Sequence, residues 1–340
     1  MKRLASIDAA RALAILAVIC IHTQPFSALY GNNSVLVTAL NYLYSFALPF
    51  FFVAAGYFFA KRAMREGEVI GVFQSYAKRL LMVFAVWSAL YIAIPSSTDV
   101  IDHGFMKSIF WNLSSAIKLA IHNPVTFILQ GTSSHLWFLT ALIYGLATLT
   151  LLIRLGLQRL VFPVSFLLLA LGLLGGAYSF LYIGYTPSFN TRGGPFFSTM
   201  CVAFGWWLSR RGKKHTLALG ASVAVVGLCL EFFEHWLIPA HGSEFPSYML
   251  LGSLPFGAGV FMVALAAPQL GENTLLPALG KFTLGVYLCH WMIINALLPV
   301  RFLYHSPIWE IAFPLLVYAL SLGLTAAMLR WRYTAKLVPA

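Results

Sequence analysis

Apolar residues run through this chain in long blocks separated by short polar connections. Ten blocks emerge, at about 9–26, 35–60, 80–95, 136–153, 160–183, 195–209, 216–238, 248–268, 282–300 and 308–329. A helix needs roughly 17–25 such residues to cross a bilayer, and most of the blocks reach that length. Those at 80–95 and 195–209 are short, so their helices are expected to borrow flanking polar residues or to sit where the bilayer thins. Between the third and fourth blocks, Phe105, Ile109, Leu113, Ile117 and Ala120 recur at helical spacing. Lys107, Asn112, Ser114, Ser115 and Lys118 fall mostly elsewhere. This spacing predicts an amphipathic interfacial helix over 104–121, with an eleventh span as the competing reading. No internal repeat, low-complexity tract or separate soluble region breaks the pattern. The expected fold is all-α: a polytopic membrane bundle of about ten transmembrane helices plus the interfacial helix, in one domain over residues 1–340.

Composition agrees. Of 340 residues, 60% are hydrophobic and 9% charged, against roughly 25% charged in soluble domains. The formal net charge of +12 would suit a nucleic-acid binder, but the basic residues sit between the apolar blocks, where they set membrane orientation instead. With the N-terminus inside, one side carries Lys2, Arg3, Lys61, Arg62, Arg65, Lys78, Arg79, Arg154, Arg159, Arg210, Arg211, Lys213, Lys214, Lys281, Arg330, Arg332 and Lys336. The other side carries Lys107, Lys118, Arg192 and Arg301. The asymmetry predicts a multi-pass membrane protein with both termini cytoplasmic. Met1-Lys2-Arg3 ahead of an apolar run imitates a secretion signal, yet Asp8 and Arg11 interrupt it, so the first block reads as an uncleaved span. Cys20, Cys201, Cys229 and Cys289 lack paired spacing, which indicates neither a disulfide framework nor a metal site.

Two polar residues within the first block call for an explanation. Arg11 and His22 are eleven residues apart, about three turns, which places them on one helix face about 16 Å apart. Asp8 precedes Arg11 by three residues and can pair with it. A charge in hydrocarbon costs at least ~2.5–3.5 kcal/mol, so such a stripe is expected to face a bundle interior or a wet cavity. The alternative is an arginine snorkelling to headgroups and a histidine bonded between helices.

Arg followed by ten residues and His in the first span resembles the signature of acyltransferase family 3, integral membrane enzymes that acylate bacterial cell-surface sugars. Further segments along nearly the whole chain strengthen the resemblance. Leu48-Pro49-Phe50-Phe51-Phe52-Val53-Ala54-Ala55-Gly56-Tyr57 is similar to the family's Pro-Phe-Phe-Phe-x-x-Ser-Gly-Tyr, with Ala55 in place of the serine. By its own chemistry this segment predicts a kink at Pro49 and close backbone approach at Gly56. Lys78-Arg79 falls where the family shows Arg-x-x-Arg, with Met82 in the second position. His135-Leu136-Trp137-Phe138-Leu139 resembles a family span start; Trp137 also suits an interfacial belt, and His135 suits contact with either an acceptor or water. Thr191-Arg192-Gly193-Gly194-Pro195 is like a family helix entry, and Arg192 reads as a site residue or a headgroup contact. Tyr287-Leu288-Cys289-His290 is similar to the family's Tyr-Leu-x-His, and mid-membrane His290 reads as catalytic or as a structural hydrogen-bonder. Glu231, Glu234 and His235 on the seventh block read either as helpers to a base or sugar, or as a solvated helix end.

The resemblance implies acetyl-CoA or another acyl-CoA as co-substrate, no metal, and a glycan or lipid-linked sugar as acceptor. Acyl transfer to a hydroxyl needs a base, stabilisation of an oxyanion and charge to hold the donor's phosphates. Histidine as a residue type suits the first role because its ordinary pKa lies near operating pH, and His22 is expected to be the base or a transient acyl carrier. Arg11 is expected to be its catalytic partner, with Asp8, His290 and Glu231 in support. Arg79 and Lys78 are expected at the donor, and Arg192, Trp137 and His135 at the acceptor or acyl chain. A transporter or flippase whose polar path is lined by Asp8, Arg11 and His22 is the alternative. Composition leaves the oligomeric state open.

Overall fold

Each of the ten apolar blocks carries a helix. The computed structural model describes residues 4–32, 34–212, 215–238, 249–301 and 306–338; Lys2, Arg3, Lys213 and Lys214, assigned above to one side of the membrane, lie outside the described residues. Among the described residues there are sixteen α-helices and no strand. They are α1 (Ala5–Thr23), α2 (Ser27–Tyr30), α3 (Val35–Tyr44), α4 (Ala47–Glu66), α5 (Val69–Ala93), α6 (Ser97–His103), α7 (Phe105–His122), α8 (Pro124–Gln130), α9 (Trp137–Arg154), α10 (Val161–Leu174), α11 (Pro195–Arg211), α12 (Leu217–Leu237), α13 (Ser253–Ala266), α14 (Leu276–Leu279), α15 (Thr283–Arg301) and α16 (Pro307–Arg330). Seven helical runs among them are long and apolar enough to cross a membrane, beginning at Ala5, Val35, Val69, Ser134, Leu217, Leu276 and Pro307. The chain is a multi-pass, all-α membrane bundle.

The helices depart from the apolar blocks in two places, and one short block extends over flanking polar residues as expected. The block at 35–60 breaks at Ser45-Phe46 into α3 and α4. Pro49 therefore falls in the first turn of α4, where no intrahelical N–H partner is lost, and it makes no mid-helix kink. The short block at 80–95 belongs to α5, whose 25 residues reach back to Val69 and take in Lys78 and Arg79. The block at 160–183 holds only the 14 residues of α10, about 21 Å of helix, because Gly175 and the turns after it end the run.

α7 occupies the predicted interval and turns its apolar residues outward, as an interfacial helix does. Ser108 and Ala116 are buried against the protein, while Phe105, Phe110, Trp111, Ile117 and Ile121 are exposed. Small polar side chains let α7 approach its neighbours: Ser108 Oγ donates to the Asp99 carbonyl at 2.9 Å and Asn112 Nδ2 to the Ile92 carbonyl at 3.4 Å. Packing inward by small and polar groups is what a lipid surround favours, since outward apolar side chains meet hydrocarbon. α7 is not among the helices long and apolar enough to span.

α1 sits at the centre, packed against α3, α4, α13, α14, α15 and α16. Ile7, Ala14, Ile15, Val18 and Ile19 are buried, whereas Leu13 on the opposite side is 48% exposed. Ser6 Oγ ties α1 to α13 by donating to the Ala264 carbonyl at 2.5 Å. α4 and α11 approach through two glycines. A Cβ on Gly56 would meet the Val202 carbonyl oxygen, and one on Gly205 the Val53 carbonyl oxygen, so neither helix tolerates a side chain there.

Candidate active site

At the α1 N-terminal end of the bundle, cations gather around a cavity of about 330 Å³. Arg11 is held by Asp8, to whose Oδ1 it donates at 3.1 Å, and its guanidinium lies 5.2 Å from the Phe58 ring centroid. Asp8 is 4% exposed. The pairing expected from the three-residue spacing is therefore present, and it fixes Arg11 at the cavity wall. Arg79 of α5 and Lys281 line the same cavity, with Ile15, Phe51, Thr283 and Leu284 as its apolar part. Lys281 arrives there through a close contact: a Cβ on Gly280 would strike the Asp8 carbonyl oxygen. Only a glycine allows the segment before α15 to press against α1 at that level.

The other end of α1 carries the histidines. The His22 ring lies 5.3 Å from that of His290 and 5.0 Å from that of Trp291, and His135 lies 5.4 Å from His290. α1, the turn before α9 and α15 each supply one histidine. His290 Nδ1 sits 2.6 Å from the Tyr287 carbonyl oxygen, an acceptor, so Nδ1 carries the proton and Nε2 presents its lone pair. That Nε2 and His135 Nε2 are both buried without a hydrogen-bond partner, an arrangement that calls for a polar guest. Ser133 Oγ and His135 Nδ1 share a hydrogen bond at 2.9 Å, and the Tyr287 hydroxyl donates to the His135 carbonyl. His22 and His135, together with Trp137 and Arg192, line a narrow cavity of about 50 Å³. The Arg192 guanidinium stands 5.4 Å from the Trp137 ring centroid, within cation–π range.

Val18, Leu48, Phe138 and Tyr287 line both cavities. The space beside Arg11 and the space beside His22 thus share walls on the same side of α1, as the helical spacing predicted. Among the described residues no group of three His, Cys, Asp or Glu side chains is arranged to hold a metal ion.

Two of the expected site residues lie elsewhere. Lys78 is exposed and lines neither cavity, one position from Arg79 but on another side of α5. Glu231 is fully buried at the α3–α4 break, where Ser45 Oγ donates to it at 2.5 Å. Glu234 accepts from the backbone N–H groups of Leu251 and Gly252 at 3.0 and 2.8 Å. Neither glutamate forms a solvated helix end, and neither lines the histidine cavity. His235 is exposed, with its ring 5.1 Å from that of Tyr42.

Two features were missed by sequence reasoning. Lys281 was read only as an orientation signal, although the glycine before it is a cue to close packing. Arg301 was counted only as an outward-facing charge, but it forms a buried bidentate pair with Glu310 at 2.9 and 2.7 Å. Glu310 Oε2 also accepts the Phe26 N–H at 2.6 Å. The chain turns there through left-handed Gln24 (φ 44°) and Phe26 (φ 68°), directly after α1. The pair thereby ties the turn beyond His22 to the α15–α16 connection.

The multi-pass bundle thus has a cation-rimmed cavity at one end, a histidine cluster at the other and common walls between them. A family described as acyltransferase domain matches residues 4–330, and the chain belongs to that family, acyltransferase family 3. An amino-acid racemase of Enterococcus faecalis is 28% identical over 259 residues, covering 70% of this chain and 33% of the relative. A serine/alanine racemase of Enterococcus gallinarum is 27% identical over 258 residues, 70% of this chain and 34% of the relative. A second amino-acid racemase of Enterococcus faecalis is 28% identical over 313 residues, 85% of this chain and 40% of the relative. The chain thus spans between a third and two fifths of these curated relatives. No solved structure matches it.

Proposed function

We propose that this membrane acyltransferase moves an acetyl or other acyl group from acyl-CoA, bound at the Arg11 end, to a hydroxyl of a cell-surface or lipid-linked glycan at the His22 end. The observation that carries this reading is the pair of cavities with common walls, one bearing Arg11, Arg79 and Lys281 and the other His22, His135 and Arg192. Basic residues concentrate at the first end, which by the positive-inside rule faces the cytoplasm of a bacterial inner membrane. Acyl-CoA is available on that side, and its phosphates suit the arginines and the lysine.

In this reading His22 accepts the proton of the acceptor hydroxyl as its oxygen attacks the thioester carbonyl. The new C–O bond forms, the C–S bond breaks, and the proton passes from the imidazolium to the departing thiolate, giving CoA thiol and an ester. Arg192 stands near enough to the same cavity to stabilise the oxyanion. The variant in which the acyl group rests briefly on His22 uses the same atoms in two steps. The racemase names of the relatives are not carried over, because the matched part is a minority of those proteins and the family it matches is an acyltransferase domain.

The test is acyl-CoA consumption by purified protein in nanodiscs with a glycan acceptor. His22→Ala is expected to lose at least about 100-fold in rate, the lower range for removing a general base, with its melting temperature retained. Full activity in that variant would refute the role given to His22. Solute passage across vesicles without consumption of acyl-CoA would favour a transporter instead.

A further inference from the structure

A third cavity, of about 220 Å³, lies between α5, α6, α7 and α15. It is smaller than the roughly 300–1,000 Å³ of pockets for drug-sized ligands and has room for one sugar-sized unit. Its polar lining is dense: Asp99, Asn112, Ser115 and Asn295 face it together with the ring of Trp291. Ser115 and Asn295 have no side-chain hydrogen bonds within the described residues, and Asn112 donates only a long 3.4 Å bond to Ile92. These hydroxyl and amide groups, donors and acceptors alike, are open to water or to a guest that can both give and take hydrogen bonds. Among the described residues of the lining Asp99 is the only charged one, and it already accepts from Ser96 Oγ at 2.5 Å.

This cavity also adjoins the histidine cluster. Trp291 is 5.0 Å from His22, Ser133 is bonded to His135, and the Tyr91 ring is 4.9 Å from that of His135; all three residues line the cavity. Trp291, Tyr91 and Ser133 are thus common to the cavity lining and to the surroundings of His22 and His135.

We propose that this cavity is the acceptor subsite, holding an uncharged or amine-bearing polyhydroxyl unit, and that it excludes acidic sugars. The proposal rests on the acyltransferase reading for the word acceptor, but the binding itself does not. Amide and hydroxyl groups around an aromatic ring match the alternating polar and C–H faces of a sugar. A single carboxylate with no cation on the wall disfavours a second carboxylate by repulsion. The cation-bearing 50 Å³ cavity on the other side of the histidines is too narrow for a sugar ring and is left to the reacting acyl carbonyl.

The test labels a cysteine in the cavity. Ser115→Cys and, as a control, Ser114→Cys, exposed on the same helix outside the lining, are placed in nanodiscs and treated with a soluble maleimide. Methyl glucoside, methyl glucosaminide and methyl glucuronide serve as probes. At twice its dissociation constant, either of the first two is expected to slow labelling of S115C about threefold, while S114C is unaffected and the glucuronide protects neither. Equal labelling with all three, or best protection by the glucuronide, would overturn the proposal. Because labelling needs no turnover, protection without acyl transfer would retain the subsite and remove the enzymatic reading. Transfer without protection would do the reverse.

Discussion

Lys281 and Lys78 separate two meanings of a basic residue. Both were read as orientation signals, and Lys78 also as a donor contact, but only Lys281 lines the cavity that Arg11 and Arg79 share. Lys281→Gln is expected to raise the KM for acyl-CoA about three- to tenfold, an ionic contact of about 1 kcal/mol, with kcat unchanged. Lys78→Gln is expected to change neither. Steady-state kinetics on the two variants decide, and equal effects would show that the cavity is not the phosphate site. Arg11 and His22 were legible because a helical period of 3.6 residues turns their spacing into a common face. Lys281 was not, because its place depends on Gly280 meeting Asp8, residues 272 positions apart in sequence. The location of Glu231 was hidden for a related reason: its partner Ser45 lies at a helix break inside a continuous apolar run, and hydropathy does not register such a break.

Helices here are held by contacts that each depend on a single residue. Gly56 of α4 lies so close to Val202 of α11 that a side chain would meet backbone. Gly56→Leu is therefore expected to cost at least the ~1–3 kcal/mol of overpacking, read as a lower melting temperature in detergent; an unchanged melt would mean that α4 and α11 can separate freely. The Arg301–Glu310 pair makes a different prediction. Arg301→Met leaves Glu310 charged and buried, at a cost of about 3–5 kcal/mol, whereas Arg301→Met with Glu310→Leu is expected to recover most of it. Thermal melts of the two proteins make the comparison, and a double variant as unstable as the single one would contradict it. The extent of the helices was legible from apolar runs, within the limits set by Ser45-Phe46 and Gly175. The outward apolar side of α7 agrees with the interfacial helix that its spacing suggests.

At the scale of the whole molecule, α1 organises a route. Its exposed side carries Leu13, while the cavity side presents Arg11, Ile15, Val18 and His22 in succession. Val18, Leu48, Phe138 and Tyr287 stand where the two cavities meet, so a long, thin donor could lie with its charged end at Arg11 and its reactive end near His22. The family match over residues 4–330 agrees with acyl transfer, and the proposed direction follows from where the positive charge gathers. The most direct measurement adds acyl-labelled acyl-CoA to the Arg11 side of sealed vesicles that hold the glycan acceptor only on the His22 side. The account predicts label in the acceptor inside wild-type vesicles and none with His22→Ala. No label in the enclosed acceptor of wild-type vesicles, or equal labelling in the variant, would contradict it.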